Sequence, residues 1–452
     1  MAAYEAHATT PHAQFESGVP LEQIQCSVGM VLLESPRGTP ACVRVMSADL
    51  LALRGFVPVD VREEPTAVTG TGPRPEPEPV PAGSPNIQNI VSSSNRFALD
   101  FYRQAGGGND GNVFFSPTSM YVAFSILYEG ARGETAAEIG EVFGLEPDAE
   151  KRRAEAAELT SVLNREDPDY ALHAANALWI DSGIATSTRD EYVDLARDHY
   201  GVHVEVLDLE QAGTARINEW SSENTGGRIN DLSKEGEFAD NPQAAITAAV
   251  YFNADWENQF PEENTFTGTF WAAGSTAVDA EMMEHYAPRP YASLDGLSVL
   301  GLPYKGERIS MLVILPDGRD GIGDLEESVT AERISEWREA LYPTDVFVEL
   351  PKFKIKTEYG LKPMLQEMGI RKAFTPESDL SGIPLPLVTD ARHNAFVDVS
   401  ERGTEAAAAT IVTSVAVSVP PLFRADHPFM FAILDDETGA LLFMGRVMDP
   451  TA

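Results

Sequence analysis

The sequence predicts an α+β protein built on a large, mostly antiparallel β-sheet, with a small separate unit ahead of it. Three observations carry that expectation. Apolar runs such as Ser310 to Leu315, Val346 to Leu350 and Phe429 to Leu434 have the length and β-branched content of antiparallel strands, whereas helical periodicity gathers in the first half of the chain. The stretch from Glu63 to Pro85 places Pro65, Pro73, Pro75, Pro77, Pro79, Pro81 and Pro85 among Glu, Thr and Gly, which makes a semi-extended linker that cannot pack. The 452 residues are 43% hydrophobic, enough for a large core. The expected organisation is a small module over residues 1–62, a linker over 63–85 and a main domain over 86–452.

In chain order, the segment from Phe15 to Asp60 reads as its own unit. Val28 to Leu33 and Cys42 to Val45 form short strands, and Ser47 to Arg54 forms a helix capped by Ser47. Cys26 and Cys42 are the only cysteines. Paired, they would close a short loop worth roughly 3 kcal/mol and imply an oxidising compartment; as free thiols they imply little. The unit resembles two-cysteine segments of archaeal surface proteins. Met1 to Pro20 has no apolar core and shows no signal peptide, and no run of 18 apolar residues could span a membrane.

The main domain opens with a helix over Asn89 to Gln104, apolar at Ile90, Phe97, Ala98, Phe101 and Tyr102, with serines 92 to 94 offering caps. Val113 to Phe115 then makes a strand, Ser116 an N-cap, and Pro117 the first position of a helix ending near Gly130, where a missing N–H costs nothing. Lys151-Arg152-Arg153, the only short basic cluster, reads as a solvated helix face. The net charge of −37 disfavours nucleic acid and anionic membranes as partners. Such acidity is also that of proteins kept hydrated in salty surroundings.

Nothing in the chain assembles an enzyme. It contains no Gly-x-Ser-x-Gly, no His-Glu-x-x-His and no Gly-x-x-x-x-Gly-Lys. The eight histidines are scattered, Glu284-His285 reads as a surface turn, and both cysteines precede the linker. No metal or cofactor is expected.

The most unusual stretch runs from Glu401 to Pro421. After Gly403 it passes through Thr404, Glu405, Ala406, Ala407, Ala408, Ala409 and Thr410 into a β-branched run, then stops at Pro420-Pro421. At period two, Thr404, Ala406, Ala408, Thr410, Val412 and Ser414 share a face that carries no charge and nothing larger than Val. Such a segment could enter a sheet interior without burying a charge. Read locally, it could equally be an ordinary edge strand with an alanine-rich lead-in.

Glu401-x-Gly403-Thr404-Glu405-Ala406-Ala407-Ala408-Ala409-Thr410 resembles the reactive-loop hinge of the serpins, strand-inserting protease inhibitors. Phe115-Ser116-Pro117-x-Ser119, Gly130-Ala131-Arg132-Gly133-Glu134-Thr135, Ala175-Asn176-Ala177-Leu178-Trp179, Leu302-Pro303-Tyr304-Lys305-Gly306 and Phe443-Met444-Gly445-Arg446-Val447 extend the resemblance over about residues 86–450. It implies the serpin fold, with about nine helices, further sheets and an exposed reactive loop. It also implies a monomeric suicide inhibitor of a serine protease; a Cys26–Cys42 disulfide would place it outside the cell or at its surface, whereas free thiols leave the cytoplasm open. Sixteen residues beyond Glu401, the reactive bond falls between Val417 and Ser418; a cut one or two residues to either side is the alternative, since Ala416 and Ser418 are also small. A small apolar residue there suits an elastase-like or subtilisin-like target, held as a covalent complex. The alternative is a non-inhibitory binding or surface protein on the same fold.

By the same resemblance, Ser116, Ser119 and His393 belong to a shutter beneath the strands that must part, and Trp256 lies below the point where the loop enters. The family's usual Asn partner falls at Ala248, which loses an amide and leaves open how His393 is bonded; Thr247 points to the other face. His393 is then either a switch or a core histidine bonded to backbone. Thr265 and Phe270 are expected only to pack.

Overall fold

The computed structural model describes residues 30–34, 40–44, 57–58 and 87–452, apart from 108–109, 165–168, 185–189, 239–240, 274, 307, 384–386 and 405–419. The chain divides into two compact units, Met1–Val80 and Pro81–Ala452. In the first, β1 (Met30–Glu34), β2 (Pro40–Arg44) and β3 (Val57–Pro58) form an antiparallel sheet in the order β2-β1-β3. The two strands expected there are present within two residues of their expected starts. The helix at 47–54, Cys26 and the linker at 63–85 lie outside the described residues.

The second unit is α+β. Six helices precede its midpoint: α1 (Ile87–Gly106), α2 (Pro117–Gly130), α3 (Gly133–Phe143), α4 (Ala149–Leu163), α5 (Asp190–Tyr200) and α6 (Thr214–Asn224). Three shorter ones follow, α7 (Ile322–Ser328), α8 (Ala331–Glu339) and α9 (Leu361–Met368), giving nine among the described residues. The nine-stranded sheet contains β4 (Val113–Phe115), β8 (Phe266–Ala272), β9 (Thr276–Leu294), β10 (Leu297–Pro303), β11 (Ile309–Pro316), β12 (Tyr342–Pro351), β16 (Leu422–Arg424), β17 (Phe429–Asp435) and β18 (Leu441–Val447). Every pairing in it is antiparallel except β12 with β16.

The second sheet positions the candidate site. It runs β13 (Phe353–Gly360), β14 (Asp390–Val399), β7 (Ala244–Asp255), β5 (Tyr170–Asp181), β6 (His203–Leu207), and β15 (Gly403–Thr404) joins it on β7. At its centre β14 and β7 are parallel, from Asp390 beside Ala245 to Phe396 beside Tyr251. β7 reads Ala-Ala-Ile-Thr-Ala-Ala-Val-Tyr-Phe-Asn-Ala-Asp, nearly continuous apolar sequence, because both of its faces are covered. Ala244, Ile246, Ala248, Val250, Phe252 and Ala254 face the main core; Ala245 and Ala249 face a smaller cluster under α6 that includes Trp179, Ile217 and Trp220.

Three local expectations are corrected. Serines 92–94 lie inside α1, which begins at Ile87, and Ser94 is buried rather than capping. Arg152 is buried, and both it and Arg153 bond the carboxylate of Glu129, so the two arginines are folded onto a buried acid, whereas Lys151 faces solvent as expected and pairs with Glu146. Glu284-His285 lies within the 19-residue strand β9, paired to β12, and is not a turn.

Candidate functional site

At one end of the β5-β7-β14 array, the chain leaves β14, turns tightly, and sends two residues back along β7. The turn is closed by two backbone bonds, Ser400 N–H to the Gly403 carbonyl at 2.9 Å and Gly403 N–H to the Ser400 carbonyl at 3.2 Å. Gly403 has φ of 144° and lies so close to β7 that a Cβ would sit 2.1 Å from the Ala254 oxygen and 2.6 Å from the Asp255 Cα. Only glycine fits there. β15 pairs antiparallel with β7, Gly403 opposite Asp255 and Thr404 opposite Ala254.

Trp256 holds this turn from below. Its backbone N–H donates to the Arg402 carbonyl at 2.8 Å and its indole N–H to the Ser400 carbonyl at 3.0 Å. The buried indole stacks on Tyr304 with ring centroids 4.4 Å apart. Burial pushes the Tyr304 phenol far up, so it stays protonated, and its oxygen lies 3.1 Å from the Thr404 hydroxyl. The Thr404 hydroxyl therefore meets a polar partner in an apolar setting.

Glu401 is the second anchor. Its carboxylate accepts from the Thr265 hydroxyl at 2.7 Å and sits 3.3 Å from the Lys352 ammonium, while its carbonyl accepts from Phe260 N–H at 2.8 Å. Burial alone would raise its carboxyl pKa, but its backbone bond, Thr265 and Lys352 outweigh burial and lower it. Thr265 is thus a latch on the loop's base, which corrects its expected packing role; Phe270 is fully buried and does pack. Sequence reasoning missed Thr265 and Lys352 because their partner is 136 and 49 residues away in the chain, respectively, and neither carries a local motif.

Farther along the same strands lies the predicted polar cluster. Ser116 caps α2, its hydroxyl accepting from Ser119 N–H at 3.3 Å. Its own N–H donates to His393 Nε2 at 2.9 Å, and His393 Nδ1–H donates to the Ala248 carbonyl at 2.9 Å. His393 is therefore neutral and bonded to backbone on both nitrogens, which answers how it is satisfied without a side-chain amide. Burial drives its pKa down to about 4, with the Ala248 bond opposing. The amide nearby comes from Asn176 on β5, directly across from Ala248, which accepts from the Ser119 hydroxyl at 2.6 Å. Thr247 points to the opposite face and accepts from the Trp179 indole at 2.9 Å.

Ser116, Ser119, Trp256, His393, Glu401, Gly403 and Thr404 are thus distributed along the β7-β14 seam. Glu405, Ala406, Ala407, Ala408, Ala409, Thr410, Val417 and Ser418 lie outside the described residues. Among the described residues, no group of three or more His, Cys, Asp or Glu is arranged to hold a metal ion, and no helix is long and apolar enough to cross a membrane.

Comparison with known proteins bears on this seam. The profile of the family described as Serpin (serine protease inhibitor) matches residues 92–450. An uncharacterised serpin-like protein of Thermococcus kodakarensis is 38% identical over 374 residues, covering 80% of this chain and 86% of that protein. Human Serpin B4 is 33% identical over 391 residues, covering 80% of this chain and all of that one. In three dimensions the chain superposes on Serpin48 of the insect Tenebrio molitor with a TM-score of 0.73 and 30% identity, covering 81% of this chain and 100% of that structure.

Proposed function

Because this chain belongs to the serpin family of serine protease inhibitors, we propose that it is a suicide substrate, cleaved between Val417 and Ser418, whose loop then enters the β7-β14 seam and traps the acyl-enzyme. The observation that carries this reading is the two-residue strand Gly403–Thr404, already paired to β7 at the top of that seam. Continuing its register, each residue forward along the loop is one residue back along β7. Ala406 then meets Phe252, Ala408 meets Val250, Thr410 meets Ala248 and Val412 meets Ile246. Directly opposed residues share a face, so the uncharged loop face turns to the main core.

Insertion replaces one parallel interface, the weaker kind per residue, with two antiparallel ones. About ten new backbone bonds at ~0.5–1.5 kcal/mol each supply roughly 10 kcal/mol, comparable to a domain's whole stability. That energy is what can distort a bound protease. The target is an elastase-like or subtilisin-like enzyme, because Val417 with Ala416 and Val415 suits a small apolar pocket. A disulfide between Cys26 and Cys42, if formed, would imply an oxidising compartment and so work outside the cell or at its surface, as a monomer.

The test is incubation with pancreatic elastase and with subtilisin, followed by denaturing electrophoresis and mass spectrometry. A band at the summed mass and a released peptide beginning at Ser418 are expected. Clean cleavage without an adduct would leave a protease substrate and favour a non-inhibitory role.

A further inference from the structure

On the outer face of the nine-stranded sheet, two exposed large side chains and a half-buried tyrosine, its hydroxyl buried, stand in one row across three strands. Leu422 of β16 is paired with Phe347 of β12, and Phe347 with Tyr286 of β9. Leu422 is 50% exposed and Phe347 39% exposed, while the Tyr286 ring stacks on Phe347 with centroids 4.7 Å apart. The opposite faces of these strands, Val346, Val348 and Phe423, are fully buried. Nothing in the fold requires an apolar row on the outer face, where strands normally alternate to polar residues.

The next row is charged. Arg424 forms a two-point pair with Glu349 at 2.6 and 2.9 Å, and Glu284 and Asp426 also lie close enough to hold the Arg424 guanidinium charged. Glu349 is buried and spent on Arg424, so Glu284 and Asp426 supply the net negative charge of the border beside the apolar row.

Its place in the chain says what would sit there. Phe347 N–H donates to the Pro421 carbonyl at 2.9 Å, so the strand after the reactive loop is pinned to the row itself. Ser418 is three residues before Pro421, within about 10 Å at full extension. A protease tens of ångströms across that engages the Val417–Ser418 bond therefore has part of its body within reach of Leu422 and Phe347.

We propose that Leu422, Phe347 and Tyr286 form a docking surface for the target protease outside its active-site cleft, fitting an apolar patch bordered by Lys or Arg. It rests on the inhibitory reading and adds to it a determinant of which protease is captured. Buried aromatic and aliphatic anchors carry most of the energy in such contacts, and exposed apolar patches on soluble proteins commonly mark them. The acidic border selects a basic rim and speeds encounter with it.

The experiment compares the full chain with a Phe347→Ser, Leu422→Ser double variant; both side chains are exposed, so the fold is retained, as an unchanged melting temperature would verify. Association rate constants with pancreatic elastase and with subtilisin, and affinity for each enzyme with its catalytic serine replaced by alanine, are measured alongside the stoichiometry of inhibition. The expected result, for at least one enzyme, is an association rate and an affinity for the inactive enzyme about tenfold lower with unchanged stoichiometry. Equal rates and affinities with both enzymes overturn the docking surface and leave the trap intact. No adduct from the unaltered chain overturns the trap and this surface together. A dimer of the unaltered chain that the double variant dissolves would assign the row to a second copy and also overturn it.

Discussion

Gly403 and His393 show how single residues set the terms of the seam. At Gly403 the approach to the Ala254 oxygen leaves no space for a methyl group, and φ of 144° disfavours any other residue. Gly403→Ala should cost about 2 kcal/mol or more and loosen the Thr404–Ala254 pairing, seen as a lower melting temperature and more cleavage turnover per protease trapped. His393 responds to pH instead. Its folded pKa of about 4 lies below its ordinary 6.5, so its contribution to stability is complete above pH 6.5 and is lost as pH falls toward 4. The slope is up to about 1.4 kcal/mol per pH unit in that window. His285, pushed to about 4 by burial and by Arg289, adds to it, less strongly because it is partly exposed. Denaturation midpoints at pH 7.5 and 5 should show His393→Gln less stable at the higher pH and less sensitive to the change; an unchanged slope would remove His393 from the account.

At the scale of elements, β7 is the strand on which everything is registered: β5 on one side, β14 on the other, β15 at its end. The register of β15 predicts that Ala408 arrives opposite Val250, which is completely buried. Ala408→Arg should therefore abolish the denaturant-stable adduct while leaving cleavage at the loop intact, read on the same gel; an adduct at unaltered yield would mean a different register. Much of this was legible in the sequence, because β11, β12 and β17 are apolar runs of strand length and Ser116-Pro117 is a strong helix start. The expected turn at Glu284-His285 is instead mid-strand in β9, which runs on through Pro288 and Pro290, opposite Asp345 and Pro343 of β12. The Glu401–Thr265–Lys352 latch and the Glu129–Arg152–Arg153 cluster could not be read locally, since each joins elements distant in sequence through side chains ordinary on any surface. His393 kept two readings open until the Ala248 carbonyl and Ser116 N–H were placed around it.

For the whole molecule, the central claim is that the fold holds in reserve a strand position that its own loop can fill. The parallel β7-β14 contact is the reserve, and β15 is its first occupied step. Filling that position adds a ladder of backbone bonds on both sides, so cleavage with insertion should be strongly downhill. The direct measurement is the melting temperature of the intact chain against the chain cleaved in its loop by a protease present in trace amounts, with both fragments retained. With roughly 10 kcal/mol gained on insertion, the cleaved form should melt higher by on the order of 10 °C or more. A cleaved form that melts at or below the temperature of the intact one would mean the loop does not enter the sheet, and the inhibitory mechanism proposed for this chain would fall with it.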